Sequence, residues 1–315
     1  MKRIFALFLA LAVVLCGCGR GKPQETTTEP PTLETAEPTI AVDWMTFPAD
    51  RDISAAQYFV YDCEAGQFVT KAEEVSTKIY PASVTKLFTA YVALQYLDAS
   101  RSVTAGEVLN KVAAGSSVAE IKKGDTVTVE QLVAGMLLPS GNDAAYILAA
   151  EAGRAMYGEK GKNVSTDEAV SRFVKEMNDQ AKLLGMTGTN FANPDGIHSD
   201  SHYSTYADLA TLGTLVLADP IIMKYAAVSS MDVSLASGSV NWHNTNAIID
   251  PESEYYCSLC TGLKTGQTPM AGSCLLSAFE YKGRTLIVGV FGCKEVDDRF
   301  PDTLQLFNQA AGISQ

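Results

Sequence analysis

The sequence predicts a mixed α/β fold, α+β in type, in which strands from both ends of the folded part meet in one sheet. Three observations predict it: strand-like segments lie near both ends of the folded part, helical patterns fill the region between them, and one more helical pattern follows the last strand. The apolar faces of a sheet must be covered, and helices are the layer that this chain supplies. The 315 residues, 47% of them hydrophobic, are enough to bury a real core.

The first strands and the first helix follow one another between residues 56 and 97. A strand is predicted over 56–61, a turn over 64–67 and a returning strand over 68–75. A helix is predicted over 83–97, because Pro81 precedes it and apolar residues recur in it at helical spacing. Those on or near one face are Leu87, Tyr91, Leu94 and Leu97.

The middle of the chain is predicted to be helical, and the last third to return to strands. Apolar residues at helical spacing predict four further helices, over 129–138, 143–156, 166–184 and 206–217. Strands over 273–281 and 284–291 flank Lys282-Gly283, which is typical of a compact hairpin turn. A final helix is predicted over 297–310.

The N-terminus resembles the export signal of a bacterial lipoprotein. Lys2 and Arg3 precede an apolar run over 4–15, which is too short to span a bilayer comfortably. The run ends in LCGC, which resembles a lipobox with Cys18 as the lipidated residue. We therefore expect an extracytoplasmic protein, anchored by this lipid to the outer face of a bacterial cell membrane. The alternative interpretation is an ordinary signal peptide with two incidental cysteines.

Three segments are expected along the chain: a signal peptide over 1–17, a disordered tether over 18–42 and one folded domain over 43–315. The tether is rich in Thr, Glu and Pro, which cannot build a core. Such a segment should be extended, rising at most about 3 Å per residue where it is polyproline-like.

The net charge of −12 narrows the classes of function. Nucleic acid and anionic membrane surfaces repel a strongly acidic chain, so nucleic-acid binding is excluded as a main function. An anionic substrate must be met by a few local cations and not by the overall field of the protein.

Five cysteines lie beyond the signal region, and an odd number leaves at least one thiol without an intramolecular partner. They are Cys63, Cys257, Cys260, Cys274 and Cys293. Cys257 and Cys260 have the spacing of a metal or redox half-site, but no second half-site follows at recognisable spacing. The three histidines, His198, His202 and His243, add no ligand pattern. No metal site is predicted.

Three short motifs carry the candidate chemistry: Ser83-Val84-Thr85-Lys86, Ser140-Gly141-Asn142 and Lys264-Thr265-Gly266. Residues i and i+3 share a face of a helix, so Lys86 can lie beside the Ser83 hydroxyl, which is a weak nucleophile until a base takes its proton. Lysine can be that base only if desolvation and a nearby cation, here Lys264, lower its pKa. Ser140 can relay a proton to the leaving group, and Asn142 can hold Lys86 and a substrate amide.

No motif is specific by itself, but their order and setting are informative. A Ser-x-x-Lys match arises by chance about once in a chain of this length, and Ser239-Val240-Asn241 also fits the second pattern. The first motif, however, begins a helix, the second follows an apolar helix through Pro139, and the third opens a strand-rich region. In this combination the chain resembles the serine penicillin-recognising enzymes.

The flanking residues narrow the resemblance to low-molecular-weight D-alanyl-D-alanine carboxypeptidases, over about residues 50 to 312. The segments that carry it are PASVTKL (81–87), LPSGNDAA (138–145), MN through LGM (177–186), TNFANPDG (189–196), YSTYADLA (203–210) and GLKTGQTP (262–269). The resemblance implies a β-lactamase/DD-peptidase-like fold, with a central antiparallel sheet flanked by helices plus an all-helical subdomain. The domain over 43–315 is then the catalytic domain.

The resemblance also implies the roles of the site residues. Ser83 would be the acylated nucleophile, Lys86 its general base, and Ser140, Asn142 and Lys264 the rest of the proton and charge network. The substrate-binding residues would be Thr265, Gly266, Gln267 and Arg299. Of these, Thr265 would bind the substrate carboxylate, and the backbone N–H groups of Ser83 and Gln267 would form the oxyanion hole. Arg299 is a candidate for the same carboxylate, or else a solvated arginine at a helix start.

The implied substrate is a peptidoglycan stem peptide ending in D-Ala-D-Ala, from which the terminal D-alanine is removed. β-Lactams would acylate the same serine as covalent inhibitors, and no metal or organic cofactor is required. The chain departs from the family at Asp195, where many relatives have histidine, so that residue is assigned no catalytic role. Many relatives also carry a C-terminal β-rich domain and an amphipathic membrane helix, whose anchoring role the N-terminal lipid is expected to take.

Two other functions remain open. A class A β-lactamase needs a glutamate that activates the deacylating water; Glu176 lies in the right part of the chain, but Gln180 stands where asparagine is usual. The surroundings of Glu176 also predict a solvated helix face. The other candidate is a non-catalytic lipoprotein that binds the wall or senses β-lactams on the same scaffold, although both Ser83 and Lys86 are present.

Overall fold

Strands from both ends of the folded part form the central sheet of the protein. The computed structural model of the chain describes residues 53–69 and 74–312. The predicted signal peptide, Cys18 and the tether lie outside the described residues. The strands are β1 (Gln57–Asp62), β2 (Gln67–Phe68), β3 (Ser102–Thr104), β4 (Thr126–Thr128), β5 (Ser230–Leu235), β6 (Gly238–His243), β7 (Cys260–Thr268), β8 (Gly272–Tyr281) and β9 (Arg284–Cys293). The main sheet has the order β2-β1-β9-β8-β7, and all of its pairs are antiparallel.

Seven α-helices lie in the described part of the chain. They are α1 (Thr85–Leu94), α2 (Val129–Leu137), α3 (Asn142–Ala155), α4 (Thr166–Leu183), α5 (Tyr206–Leu217), α6 (Pro220–Ala226) and α7 (Arg299–Ala311). Short 3-10 helices cover Ala82–Val84, Glu107–Lys111, Gly158–Asn163 and Ala247–Ile249. The predicted α+β class is confirmed, including the meeting of the first and last strands, because β1 pairs with β9 along its whole length.

Helix α7 covers one face of the sheet, and the larger group of helices covers the other. Phe307 of α7 stacks on Phe279 of β8 with ring centroids 4.1 Å apart. On the opposite face, Leu276 and Ile287 belong to the core that contains α1 and α5. Because both faces are covered, β8 and β9 are nearly continuous apolar runs, as expected for strands buried on both sides.

The predicted helix boundaries agree with the structure within about two residues, with one informative exception. The helix predicted over 83–97 is an α-helix only over Thr85–Leu94, and Ser83 lies in the 3-10 turn before it. Local caps explain the good agreement elsewhere. At α2, for example, the Thr128 side chain accepts from the Gln131 N–H while the Gln131 side chain accepts from the Thr128 N–H.

Two strand pairs that the sequence did not predict, β3–β4 and β5–β6, accompany the helical part of the protein. Each is a pair of short strands with a single partner, which gives a weak periodic signal in the sequence. Trp242 of β6 shows how closely one pair is packed: its indole N–H donates to the carbonyl oxygen of Ala119, 2.8 Å away. The strand predicted over 68–75 is seen only as β2, and residues 70–73 lie outside the described part.

Within residues 53–69 and 74–312, no single helix is long and apolar enough to cross a membrane; only α5 and α6 taken together, bent by 100° at their junction, reach that length and composition.

Candidate active site

Ser83 and Lys86 are brought into contact by the change from a 3-10 turn to α1. The turn begins with Ala82 in the left-handed region at φ +48°, a strained conformation for a residue with a side chain. Lys86 lies in the first turn of α1 and donates hydrogen bonds from Nζ to Ser83 Oγ, 2.7 Å away, and to the carbonyl oxygen of Asp195, 2.6 Å away. The predicted pairing of nucleophile and amine is present in the structure.

The Lys86 amine is completely buried, and burial lowers its pKa to about 8. The charges of Asp195 and Asp143 oppose this decrease by favouring the protonated form. With a pKa of 8, about one molecule in ten carries a neutral amine at pH 7. The site therefore supplies what a lysine base needs, a significant fraction of free amine beside the hydroxyl.

Lys264 lies on β7 and is also completely buried. Its Nζ donates to Thr245 Oγ1 at 3.2 Å and to Thr265 Oγ1 at 3.3 Å. Burial lowers the pKa of Lys264 well below its usual value, and the charges of Lys86 and Arg299 lower it further. The pKa of Lys86 was expected to be lowered by the charge of Lys264, whereas burial lowers it here and is also the first cause at Lys264. Two ammonium charges are costly in one buried site, which favours a free amine.

Ser140, Gly141 and Asn142 connect α2 to α3 at the edge of the site. Ser140 is buried with φ +61°, the second strained residue of the site after Ala82. The Asn142 N–H, at the start of α3, donates to the carbonyl oxygen of Ser117 at 2.9 Å. The predicted hydrogen bond from the Asn142 side chain to Lys86 is not among those formed by the described residues.

Asp143 holds the loop over 113–121 against this motif, a role that the sequence analysis missed. Its buried carboxylate accepts from the Ala119 N–H at 2.8 Å and from the Ile121 N–H at 3.0 Å. It also accepts from the N–H of Ala144 in the first turn of α3. Burial raises the pKa of Asp143, and these N–H donors lower it in opposition. The only sequence signal was an aspartate directly after the motif, which also fits an ordinary helix start.

Two glycines permit other segments to approach the Ser83 turn. A Cβ atom on Gly266 of β7 would lie 2.9 Å from the backbone nitrogen of Ser83. A Cβ atom on Gly196 would lie only 2.0 Å from the carbonyl oxygen of Ala82, and Gly196 also has φ +86°. Both positions therefore require glycine, since no side chain fits between these backbones. Gly266 is a predicted site residue, while Gly196 was quoted only as part of the family resemblance.

A cleft of about 640 Å³ opens onto Ser83, Asn142 and Gln267. Residues of the loop 113–117 line it, and so do residues at the β7–β8 turn. The two predicted oxyanion donors, Ser83 and Gln267, thus share one cavity. The cleft is large enough for a short peptide and gives access to the Ser83 hydroxyl.

Arg299 begins α7 and is buried, with 7% of its surface exposed. Its Nη1 donates to the carbonyl oxygen of Gly266 at 3.4 Å, and its Nε has no hydrogen-bond partner among the described residues. Burial lowers the pKa of Arg299 from its usual value. The alternative of a solvated arginine at a helix start is therefore wrong, because this guanidinium lies against β7 with an N–H group available to a carboxylate.

Asp195, which was assigned no catalytic role from the sequence, lies beside Lys86. The side chain is 1% exposed; its Oδ1 accepts from the Ile197 N–H at 3.3 Å, and its Oδ2 has no partner among the described residues. Burial raises the pKa of this carboxyl, and the charge of Lys86 lowers it. Its charge also contributes, after burial, to raising the pKa of Tyr146 to about 12. The sequence marked Asp195 only as a departure from the family, because its place beside Lys86 depends on the path of the loop.

His202 fixes that loop to α1 as a neutral imidazole. Its Nδ1 accepts from the Ala192 N–H at 3.1 Å, so the ring proton lies on Nε2 and is donated to Thr85 Oγ1 at 2.8 Å. Burial lowers the pKa of His202 to about 4, which keeps the ring neutral at ordinary pH. The histidine thus has a structural role beside the site.

Glu176, the residue on which the β-lactamase reading depended, lies away from the cleft lining and is fully engaged elsewhere. It accepts from Tyr96 and Gln180 and forms an ion pair of 3.0 Å with Arg172. The prediction of a solvated helix face is wrong, because only 7% of Glu176 is exposed. Burial alone would raise its pKa, but these partners lower it overall, so the carboxylate is committed to this network.

All five cysteines of the described part are free thiols. No group of three or more His, Cys, Asp or Glu side chains within residues 53–69 and 74–312 is arranged to hold a metal ion.

Comparison with known proteins agrees with this geometry. Residues 44–295 match the family described as D-alanyl-D-alanine carboxypeptidase. A D-alanyl-D-alanine carboxypeptidase of Streptomyces sp. strain K15 is 33% identical over 250 residues, which are 76% of this chain and 80% of that protein. The D-alanyl-D-alanine carboxypeptidase DacF of Bacillus subtilis is 29% identical over 226 residues, and the match covers 70% of this chain but only 53% of DacF.

Solved structures show the same fold. The crystal structure of the Streptomyces K15 DD-transpeptidase superposes with a TM-score of 0.73 at 30% identity and covers 82% of this chain and 98% of that one. Penicillin-binding protein D2 from Listeria monocytogenes, in its cefotaxime-bound form, gives a TM-score of 0.67 at 27% identity, with 83% and 98% coverage. The likeness therefore covers about four fifths of this chain and nearly all of each solved chain.

Proposed function

Because the chain belongs to the D-alanyl-D-alanine carboxypeptidase family of serine peptidases, we propose that it removes the terminal D-alanine from peptidoglycan stem peptides. The observation that carries the proposal is the buried Lys86 amine, hydrogen-bonded to Ser83 Oγ at the base of an open cleft. A hydroxyl held beside a lysine of lowered pKa is an activated nucleophile. No other serine of the three motifs has such a contact with an amine among the described residues.

The proposed reaction is an acyl transfer in two steps. Lys86 takes the proton of Ser83 as Oγ attacks the carbonyl carbon of the penultimate D-alanine, and the backbone N–H groups of Ser83 and Gln267 hold the oxyanion. The C–N bond then breaks, and Ser140 relays a proton to the departing D-alanine. Water hydrolyses the resulting ester and regenerates Ser83. A β-lactam acylates the same serine and leaves slowly, because its leaving group stays attached.

The terminal carboxylate of the substrate is assigned to Thr265 and Arg299. Thr265 is on β7 two residues before Gln267, so a peptide aligned with this strand can reach both at once. The buried Arg299 lies against the same strand with an unpartnered Nε. Lys264 also lies beside this position, because its Nζ donates a hydrogen bond to the Thr265 hydroxyl.

The test of the proposal is the release of D-alanine from diacetyl-L-lysyl-D-alanyl-D-alanine. We expect release that prior exposure to penicillin abolishes, because both compounds need the same serine. Rapid hydrolysis of penicillin without release of D-alanine would instead favour the β-lactamase. Absence of both reactions would favour a protein that binds the wall or senses β-lactams.

The dependence of kcat/KM on pH should reveal the ionisation of Lys86. The base form is needed, so kcat/KM should rise with pH through the Lys86 pKa of about 8. The Asp195 charge raises that pKa, so Asp195→Asn leaves the effect of burial less opposed and lowers it. We therefore expect the rising limb to move to lower pH in Asp195→Asn, measured as initial rates from pH 5 to pH 10.

A matched control for this experiment is Asp200→Asn, on the same loop but with an exposed side chain that pairs with His198. Its profile should coincide with that of the unaltered protein. If both variants shift equally, or if Asp195→Asn moves the limb to higher pH, the assignment of this ionisation to Lys86 fails.

The proposed location is the outer face of a bacterial cell membrane, reached by export and held by a lipid on Cys18. Support comes from the lipobox-like end of the apolar N-terminal run and from the peptidoglycan stem peptide proposed as the substrate. We expect Cys18→Ser to lose incorporated fatty acid and to leave the membrane fraction, measured by labelling with a tagged fatty acid in a bacterial host. Cys16→Ser is the matched control and should keep both properties. Retention of label by Cys18→Ser would refute the anchor.

A further inference from the structure

The end of the cleft beyond Gln267 carries an unassigned positive charge. Among the described residues that line the cleft, Lys294 is the only charged one. It directly follows β9, and no ion pair within the described residues involves it. The chain as a whole has a net charge of −12, so a cation at the substrate cleft runs against the overall field. An anionic group of a substrate needs such a local cation.

The acidic residues that follow Lys294 in the sequence do not place a carboxylate in the cleft lining beside its positive charge. Glu295, Asp297 and Asp298 follow it in the chain, but none of them lines the cleft. The cleft therefore presents the ammonium group of Lys294 without a carboxylate beside it in the lining. Its lining otherwise consists of neutral polar and apolar residues.

A buried hydroxyl without a partner lies at the same end. Ser273 lines the cleft, is 1% exposed, and its Oγ has no hydrogen-bond partner among the described residues. Ser273 is opposite Gln267 on β7 and opposite Cys293, the residue before Lys294. Buried hydroxyls nearly always have a partner in native proteins, so an unpartnered one that lines a cleft indicates a ligand group that is not part of the chain.

The direction of the substrate follows from the roles proposed for β7. With the terminal carboxylate at Thr265 and the scissile carbonyl at Gln267, the rest of the peptide extends past Thr268 and Pro269. An extended chain rises about 3.3 Å per residue, so the residue before the two D-alanines lies beside this turn. A long side chain on that residue can reach the end of the cleft where Lys294 and Ser273 lie.

We propose that Lys294 and Ser273 form a subsite for a carboxylate at the end of the side chain that precedes D-Ala-D-Ala. The inference rests on the proposed function and names its preferred substrate class. The enzyme selects stem peptides whose third residue ends in a free carboxylate, such as a diamino dicarboxylic acid, over those that end in a neutral group. Lys294 supplies the charge, and the Ser273 hydroxyl donates a hydrogen bond to the same carboxylate.

The test compares two synthetic peptides of similar length. In diacetyl-L-lysyl-D-alanyl-D-alanine the side chain ends in a neutral acetamide, and in N-acetyl-L-2-aminopimelyl-D-alanyl-D-alanine it ends in a carboxylate. We expect kcat/KM for the carboxylate peptide to be roughly 3- to 5-fold higher at low salt, the size of a partly exposed ion pair. The ratio should fall as salt is raised, because salt screens exposed charges.

The variants are compared by the ratio of kcat/KM for the carboxylate peptide to kcat/KM for the neutral peptide, because a general loss of activity lowers both values equally. Lys294→Gln should bring the ratio close to one, Lys294→Glu should invert it, and Ser273→Ala should reduce it in part. Lys160→Gln removes an exposed lysine that does not line the cleft and should leave the ratio unchanged. A ratio near one in the unaltered enzyme, or a ratio that Lys294→Gln leaves intact, overturns the subsite while release from the neutral peptide upholds the proposed function. Absence of release from both peptides overturns the two together.

Discussion

Ser83→Ala is expected to abolish both D-alanine release and covalent labelling by penicillin. The substitution removes the atom that becomes acylated, and the remaining cleft has no second hydroxyl with a hydrogen bond to Lys86 among the described residues. Loss of the nucleophile in a serine hydrolase lowers kcat by about 10⁴-fold or more. The measurement is D-alanine release together with a fluorescent penicillin on a denaturing gel.

The fold should survive this substitution. Ser83 is in a short 3-10 turn, and the change costs one hydrogen bond from Lys86. The net contribution of such a bond to the free energy of unfolding is about 0.5–1.5 kcal/mol. A thermal melt close to that of the unaltered protein would therefore accompany the loss of activity. Penicillin labelling that persists in a folded Ser83→Ala protein would show that another residue is acylated.

Lys86→Met should lower kcat/KM by about 10³-fold, because it removes the general base. Lys86→Arg should be almost as impaired, since a guanidinium keeps its proton at every pH of the assay. The two variants separate the base from the charge: one removes the cation and the other retains it. Rates of acylation by penicillin, followed over minutes to hours, measure the effect on the first step alone.

The free energy of unfolding of the Lys86 variants shows whether a loss of activity comes from lost chemistry or from a damaged fold. Lys86→Met leaves Ser83 Oγ and the carbonyl oxygen of Asp195 without their donor, but it also removes an amine whose charged form is costly to bury. These effects oppose each other, so we expect the free energy of unfolding to change by less than about 2 kcal/mol. Near-normal acylation by Lys86→Arg would mean that this side chain acts only through its charge and that the base lies elsewhere.

Much of the fold was predictable because the signals were local. Helix α4 was predicted over 166–184 and is found over Thr166–Leu183, since its apolar stripe and the Ser165 cap are both written in the sequence. The hairpin at Lys282-Gly283 was likewise marked by its turn residues. The pairs β3–β4 and β5–β6 were missed, because three- to six-residue strands with one partner gain their stability from packing against the rest of the protein.

The site residues also fall into two groups, those that motifs predicted and those that only the tertiary structure brings to the site. Ser83, Lys86, Ser140, Asn142 and Lys264 were named from motifs, and the contact of Lys86 with Ser83 is the one that the spacing predicted. Thr245 was not named, and the place of Asp195 beside Lys86 was not predicted, because each reaches the site through a loop. The burial of two further residues was also not predicted. Glu176 was expected on a solvated helix face, and Arg299 was left open between binding a carboxylate and being solvated, but both are buried.

The sequence by itself determined the fold class, the family resemblance and the chemical groups, because periodicity and motif spacing are properties of neighbouring residues. Only the tertiary structure decided the protonation of those groups and the shape around them. Burial lowers the pKa of Lys86 to about 8, and burial comes from α1, β7 and the Asp195 loop packing together. The same packing seals Arg299 against β7 and leaves Lys294 open at the cleft. Desolvation depends on what surrounds a side chain from every direction, and residues distant in the chain supply most of those surroundings.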